Sequence, residues 1–205
     1  MLRAPTSPEV RSTPVAWNEA AARAVPGFVA TVTDAALRQA QAEGLGIVAR
    51  TPGALDRIEA ALDTRWQLDG DASGNDETVA RQIDIDALAA GGDPPHRVVG
   101  QGRVAREAPW DVDLRIDIPL AAHAAIEPRA AVAAPTKDGL DLWVGSQDAF
   151  YQRDVVVKTL GLSEDRVRVH PCRVGGAFGG KTICTVELEA AVLARAVGAP
   201  VKVQW

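Results

Sequence analysis

The residues of this 205-residue chain best suited to chemistry are Gly175-Gly176-Ala177-Phe178-Gly179-Gly180-Lys181-Thr182. Glycines remove Cβ atoms, so backbone N–H groups can come close to an anionic or strongly accepting ligand. The octet satisfies G-x-x-x-x-G-K-S/T, the pattern of a phosphate-cradling P-loop, and Arg173 just before it could meet a phosphate or form an exposed ion pair. Gln147 carries a neutral amide that could donate to a ligand oxygen, although a lone glutamine before a helix also reads as a capping or surface residue. Cys172 and Cys184 flank the glycines, and with no CxxC they cannot build a four-thiolate iron–sulfur or zinc site. They read as buried or partly buried thiols. His123 and Glu127 stand at i, i+4, but Pro128 and a strand-turn setting break the helical geometry that would put them on one face. A structural hydrogen-bonding role suits them better.

The elements around the octet are strand, loop and helix. Val167-Arg168-Val169-His170 alternates as a half-buried strand does. Leu188, Ala191, Val192 and Arg195 fall at helical spacing among good helix formers, and Gly198 and Pro200 end the run. A P-loop needs the same local context. It also needs a strand carrying an aspartate that helps to hold Mg²⁺. Only 23 residues follow Thr182, enough for the helix and the short strand Val201–Trp205, and Ile83-Asp84-Ile85-Asp86 has no apolar run leading into it. A P-loop NTPase is therefore the weakest of the readings.

Composition bounds the rest. Apolar residues make up 47% of the chain, enough for a sizeable core, and aromatics only 4%. The formal net charge of −5, with both signs interspersed, leaves no basic stripe for nucleic acid. No segment approaches 18 consecutive apolar residues, so no membrane span is expected. Met1 to Glu19 lacks the apolar region of a signal peptide. Along the chain, Phe28–Val32 and Gly46–Ala49 read as strands, and Asp34 as the N-cap of a helix over Ala35–Glu43. Pro52 starts an amphipathic helix with Leu55, Ile58 and Leu62, leading to a strand near Arg65–Leu68. Glycine- and Asp-rich loops enclose a weak helix, Glu77–Ala90. Leu114–Ile118 alternates as a strand, while Ala131–Ala134 and Leu140–Val144 flank the turn Lys137-Asp138-Gly139. Ser146 could cap a helix from Asp148 to Leu160 that stops at Gly161. The overall class is mixed α+β.

Four segments together resemble one family. Ala122-His123-Ala124-Ala125-Ile126-Glu127-Pro128 resembles an AHxxMEP strand-turn, and Leu142-Trp143-Val144-Gly145-Ser146-Gln147 resembles a W-x-x-T/S-Q segment. Leu160-Gly161-Leu162 with Val167-Arg168-Val169 matches the linker, and Gly175–Lys181 matches the GG(G/A)FGGK turn. All four resemble segments of the molybdenum hydroxylase family of xanthine dehydrogenase and aldehyde oxidase, in its order and spacing. The style is closest to the isoquinoline 1-oxidoreductase and bacterial aldehyde dehydrogenase branch. The resemblance implies an N-terminal extension (1–26), a partial a/b hammerhead-like unit (27–68), a connecting segment (69–102) and the first part of a molybdopterin-binding domain (103–205).

It also implies roles. Gln147 would bring its amide toward the metal centre, where an N–H donor stabilises developing negative charge. Gly175, Gly176, Phe178 and Gly179 would lie against the molybdenum–molybdopterin cofactor, carried as such or as a dinucleotide, and Phe178 would lower the local dielectric. Lys181 and Thr182 would stand where the following helix begins. Thr182 would be near the substrate; purine-oxidising members carry glutamate there, so a purine is disfavoured. No residue of this chain would bind the metal directly.

The implied reaction hydroxylates an aldehyde or N-heterocycle with water as the oxygen source. Its carboxylate base belongs to a GxGE segment that does not occur here. The expectation is therefore a truncated or split piece, without turnover until a complementing C-terminal half of the large subunit joins it. Its 2Fe–2S clusters would sit on an iron–sulfur small subunit, with an FAD or cytochrome subunit as a further candidate partner. Absence of a signal points to the cytoplasm, or to the periplasm if a partner carries the chain out. A degenerate, non-catalytic module used for protein contact is the alternative.

Overall fold

The computed structural model describes residues 1–70 and 121–205, and between them Ala80, Asp84, Asp111, Val112, Leu114, Ile116 and Ile118. Residues 1–72 and 123–205 form one compact unit and 73–122 a second. All the candidate site residues lie in the first.

That unit has the mixed α+β character expected. Its described elements are β1 (Arg11–Ala16), α1 (Glu19–Ala24), β2 (Phe28–Thr33), β3 (Leu45–Ala49), α2 (Pro52–Leu62), β4 (Arg65–Asp69), β5 (Ala130–Pro135), β6 (Leu140–Val144), α3 (Ala149–Leu160), β7 (Val167–Pro171), α4 (Val186–Val197) and β8 (Val201–Gln204). Strands β1 and β4 pair antiparallel, as do β2 and β3. The larger sheet has the order β7-β6-β5-β8. In it β5 is antiparallel to β6 and β8, whereas β7 runs parallel to β6 after the α3 crossover.

Period-two alternation decides which face of this sheet is covered. Ala131 and Ala133 of β5, Leu142 and Val144 of β6, and Val201 and Val203 of β8 point into one core with Val156 of α3 and Ala190, Ala191 and Ala194 of α4. Each large side chain fully buried there contributes on the order of 1.5–3 kcal/mol. Alanines on α4 let the helix lie close on β5. Gly46 of β3 does the same for Leu193, since a Cβ there would stand 2.5 Å from its Cδ2. A second cluster joins Ala22, Leu45, Ile47, Ala54, Ile58 and Leu62 under α1 and α2.

Several helix ends follow their local signals. Pro52 opens α2, and Gly161 and Gly198 take the left-handed conformation after α3 and α4, with φ of 63° and 64°. For α3 the capping group is Asp148, whose carboxylate accepts the Tyr151 N–H at 2.9 Å; Ser146 instead accepts the Asp148 N–H. The helix expected over Ala35–Glu43 is a single 3₁₀ turn, Ala35–Leu37. Its other backbone groups are claimed by the N-terminal segment: Gln41 N–H donates to Pro8 C=O and Glu43 N–H to Ser12 C=O, while Leu37 is fully buried. Residues 1–26 accordingly carry β1 and α1.

The helix expected at Glu77–Ala90 lies, apart from Ala80 and Asp84, outside the described residues. So does part of the strand expected at Leu114–Ile118, whose described residues are not in a strand. Among the described residues no helix is long and apolar enough to cross a membrane.

Candidate functional site

The glycine octet lies in the connection from β7 to α4. It is a folded turn rather than a helix start. Gly180 N–H donates to Ala177 C=O at 2.9 Å, and Thr182 returns both its N–H and its hydroxyl to Gly179 C=O, at 3.2 and 2.7 Å. Three residues take positive φ: Gly176 at 103°, Phe178 at 53° and Gly179 at 91°. Phe178 is not glycine, and that conformation is uncommon for a bulky side chain. Its ring is 71% exposed. Helix α4 begins only at Val186, so Lys181 and Thr182 precede it rather than open it, because the turn's own hydrogen bonds occupy them.

The glycines are required first by a neighbouring segment. A Cβ at Gly175 would stand 3.0 Å from Glu127 Cβ, one at Gly176 3.4 Å from Ala125 Cβ, and one at Gly180 3.1 Å from His123 Cβ. Alternate residues of His123–Glu127 thus run along the turn at backbone distance. The far side of the turn is open. The N–H groups of Gly176, Phe178 and Gly179 have no acceptor among the described residues, and each would add a donor for a ligand there.

Gln147 meets the other end. Its N–H donates to Lys181 C=O at 3.1 Å, and its side-chain Oε1 accepts the Lys181 N–H at 3.2 Å. Since Lys181 N–H is a donor, the amide orientation is fixed, and Gln147 Nε2 has no partner among the described residues. Gln147 Nε2 and the free N–H groups of the turn offer neutral donors to a ligand.

Lys181 does not. Its side chain is 3% exposed, and its ammonium hydrogen-bonds Glu127 Oε2. The same oxygen accepts the Gly175 N–H at 2.7 Å, and Gly175 C=O accepts the Glu127 N–H at 3.3 Å. The Lys181 hydrogen bond, followed by that from Gly175, holds the Glu127 carboxyl below its ordinary value. A lysine turned inward onto a carboxylate, five residues before the first residue of the helix, leaves no phosphate-binding lysine for a P-loop.

Behind the turn lies a polar anchor that the sequence did not signal. Gln152 of α3 is buried and donates from Nε2 to Lys181 C=O at 3.2 Å and to Glu187 Oε1 at 3.3 Å. Glu187, 1% exposed, accepts the Thr185 N–H at 2.9 Å, and burial pushes its carboxyl upward. Nearby, Arg129 donates to Ile183 C=O and lies over the Trp205 ring, whose Nε1–H reaches Glu189 at 3.0 Å. The helical pattern of α4 hid this network, because two of its inward positions are glutamates.

The remaining candidates separate. His123 packs on Gly180 and shares no metal geometry with Glu127, and among the described residues no group of three or more His, Cys, Asp or Glu is placed to hold a metal ion. Cys172 is exposed, against expectation, because its N–H extends the β7 pairing to Val144 C=O and its side chain turns outward. Cys184 is partly buried. Arg173 forms no ion pair among the described residues; it lines, with Glu127, Trp143, Gly145 and Cys172, a cleft of about 210 Å³ beside the turn.

Comparison with known proteins identifies the family. A family model described as the molybdopterin cofactor-binding domain matches residues 92–205. The chain is similar to the aldehyde oxidoreductase molybdenum-binding subunit PaoC of Escherichia coli (strain K12), 36% identical over 113 residues, 54% of this chain and 15% of that protein. It is also similar to the isoquinoline 1-oxidoreductase subunit beta of Brevundimonas diminuta, 36% identical over 84 residues, 40% of this chain and 11% of that one. Among solved structures, quinoline 2-oxidoreductase from Pseudomonas putida 86 superposes with a TM-score of 0.68 at 19% identity, over 98% of this chain and 30% of that one. The aldehyde oxidoreductase of Desulfovibrio gigas gives the same TM-score and identity over 100% and 26%. The chain thus spans a small part of the length of these relatives.

Proposed function

This chain belongs to the molybdenum hydroxylase family through its molybdopterin cofactor-binding domain, and from that premise we propose that it forms one wall of the cofactor site in an enzyme hydroxylating an aldehyde or N-heterocycle. The observation that carries the reading is the presence, around one turn, of neutral donors with no acceptor among the described residues: Gly176, Phe178 and Gly179 N–H, and Gln147 Nε2. When bound, the molybdenum cofactor supplies two-electron oxidation with water as the oxygen source. The chain's own residues bind and orient it. The turn amides would hold it by its oxygen and sulfur acceptors, Gln147 would offer an N–H where negative charge develops, and the exposed Phe178 ring would exclude water from one side. These donors are fixed before the ligand arrives, so little reorganisation opposes binding.

The reaction also needs a carboxylate base. Near the site, among the described residues, Glu127 is held by Lys181 and Gly175, and Asp148 caps α3, so both carboxylates serve structural hydrogen bonds. We propose that the base comes from a further stretch of large subunit and that this polypeptide does not turn over substrate without it. Thr182 beside the turn favours an aldehyde or a simple heterocycle over a purine. The partners inferred are a further stretch of large subunit carrying the base and an iron–sulfur subunit that takes the electrons onward; a dinucleotide form of the cofactor is compatible with the open turn.

Metal and pterin analysis of the protein isolated from its own host tests the reading. Stoichiometric molybdenum and pterin, with a second polypeptide present, is the expected result. A solitary chain free of both would overturn it and favour a module used only for protein contact.

A further inference from the structure

Glu127 does two things at once that, among the described residues, no other side chain near the turn does. One carboxylate oxygen accepts the backbone N–H of Gly175, at the start of the turn, and the ammonium of Lys181, at its end. The intervening residues carry the unpaired N–H groups. A single anion therefore closes the turn like a clasp, and the loop between its two grips can present those N–H groups only in one direction. The clasp also removes a charge from the site. Lys181 is a cation next to a ligand position built from neutral donors, and it is turned inward and neutralised. Segment His123–Glu127 could not deliver the carboxylate unless Gly175 admitted Glu127 Cβ at 3.0 Å, so the first glycine and the glutamate form one device.

We infer that Glu127 is a positioning residue for the cofactor, setting the shape of the Gly175–Lys181 turn by gripping both its ends. This rests on the cofactor reading above. Charge-assisted hydrogen bonds of this kind are about twice as strong as neutral ones, and the neutral carbonyl oxygen of a glutamine at 127 could accept both donors only in weaker bonds.

The test compares the pterin-loaded protein from its own host with its Glu127→Gln and Lys181→Gln variants, and with Glu164→Gln, which breaks the surface pair to Arg153 at 2.7 Å. Two quantities are read: amide hydrogen exchange over residues 175–181 and over α4, and pterin per chain by fluorescence after oxidative release. In Glu127→Gln the turn amides should exchange on the order of tenfold faster while α4 is unchanged, and pterin content should fall several-fold. Lys181→Gln should act in the same direction and Glu164→Gln on neither. Unchanged turn exchange in both site variants, or a loosened turn that keeps wild-type pterin, overturns the inference. Wild-type protein without pterin instead overturns the cofactor reading itself, and Glu127 then positions no cofactor.

Discussion

Cys184 gives the sharpest quantitative test of how the turn is anchored into the core. Its thiol lies between the turn and α4, and burial first, then the Glu187 carboxylate, pushes its pKa from 9.0 up to about 12. An acid whose folded pKa is raised stabilises the folded state, relative to high pH, only while it stays protonated in both states. Unfolded chains lose this proton near pH 9 and folded chains near pH 12, so the stability is present below pH 9 and is lost as pH rises through that window. Between about pH 8 and pH 10.5 the loss attributable to this thiol is about 2 kcal/mol.

Cys184→Ala should therefore lower stability at pH 8 by a small cavity term and lose less on going to alkaline pH, the difference between the two proteins shifting by about that amount in the variant's favour. Urea unfolding of both proteins at the two pH values measures it. Alkylation gives an independent figure. Three units of pKa cut the thiolate fraction at pH 8 about a thousandfold, and the higher nucleophilicity of a more basic thiolate returns roughly twentyfold, leaving iodoacetamide on the order of fiftyfold slower in folded than in urea-unfolded protein. Equal rates in the two states, or parallel alkaline losses in wild type and variant, would refute the burial on which this reasoning rests.

Three further outcomes are expected. Gly176→Ala places a Cβ on a residue at φ 103° and 3.4 Å from Ala125 Cβ, so it should cost roughly 1–3 kcal/mol in urea unfolding. Asp148→Ala removes the cap of α3 and should lower stability by about 1 kcal/mol, seen as a drop in Tm, whereas Asp148→Asn should recover most of it. Glu127 is held below its ordinary carboxyl value of 4.5, so its contribution is present above that value and lost as pH falls through the lower, folded one; the denaturant midpoints of wild type and Glu127→Gln should differ constantly from neutrality to pH 4.5 and converge only below it.

Much of the architecture was legible in short-range pattern. Two-residue alternation marked β7, the turn Lys137-Asp138-Gly139 marked β5 and β6, and helical spacing with glycine stops marked α3 and α4, because these signals are set by local sterics and by one buried face. The helix expected after Asp34 was not realised. Its residues have adequate helix propensity, but the N-terminal segment supplies competing hydrogen-bond partners that no local window contains. Cys172 escaped for a similar reason, since its outward direction follows from the register of β7 on β6.

By itself the sequence determined the family-bearing motifs, the presence of a glycine turn between a strand and a helix, and the nearness of Gln147 in the order of elements. Only the tertiary structure decided what those glycines are for. They admit the His123–Glu127 segment at backbone distance, and Glu127 lies 48 residues before Gly175 and 54 before Lys181. Lys181 could serve a phosphate or a carboxylate equally well on paper. Its inward turn onto Glu127 is a long-range pairing of charges, and pairings across such separations depend on how strands and loops stack rather than on any spacing along the chain.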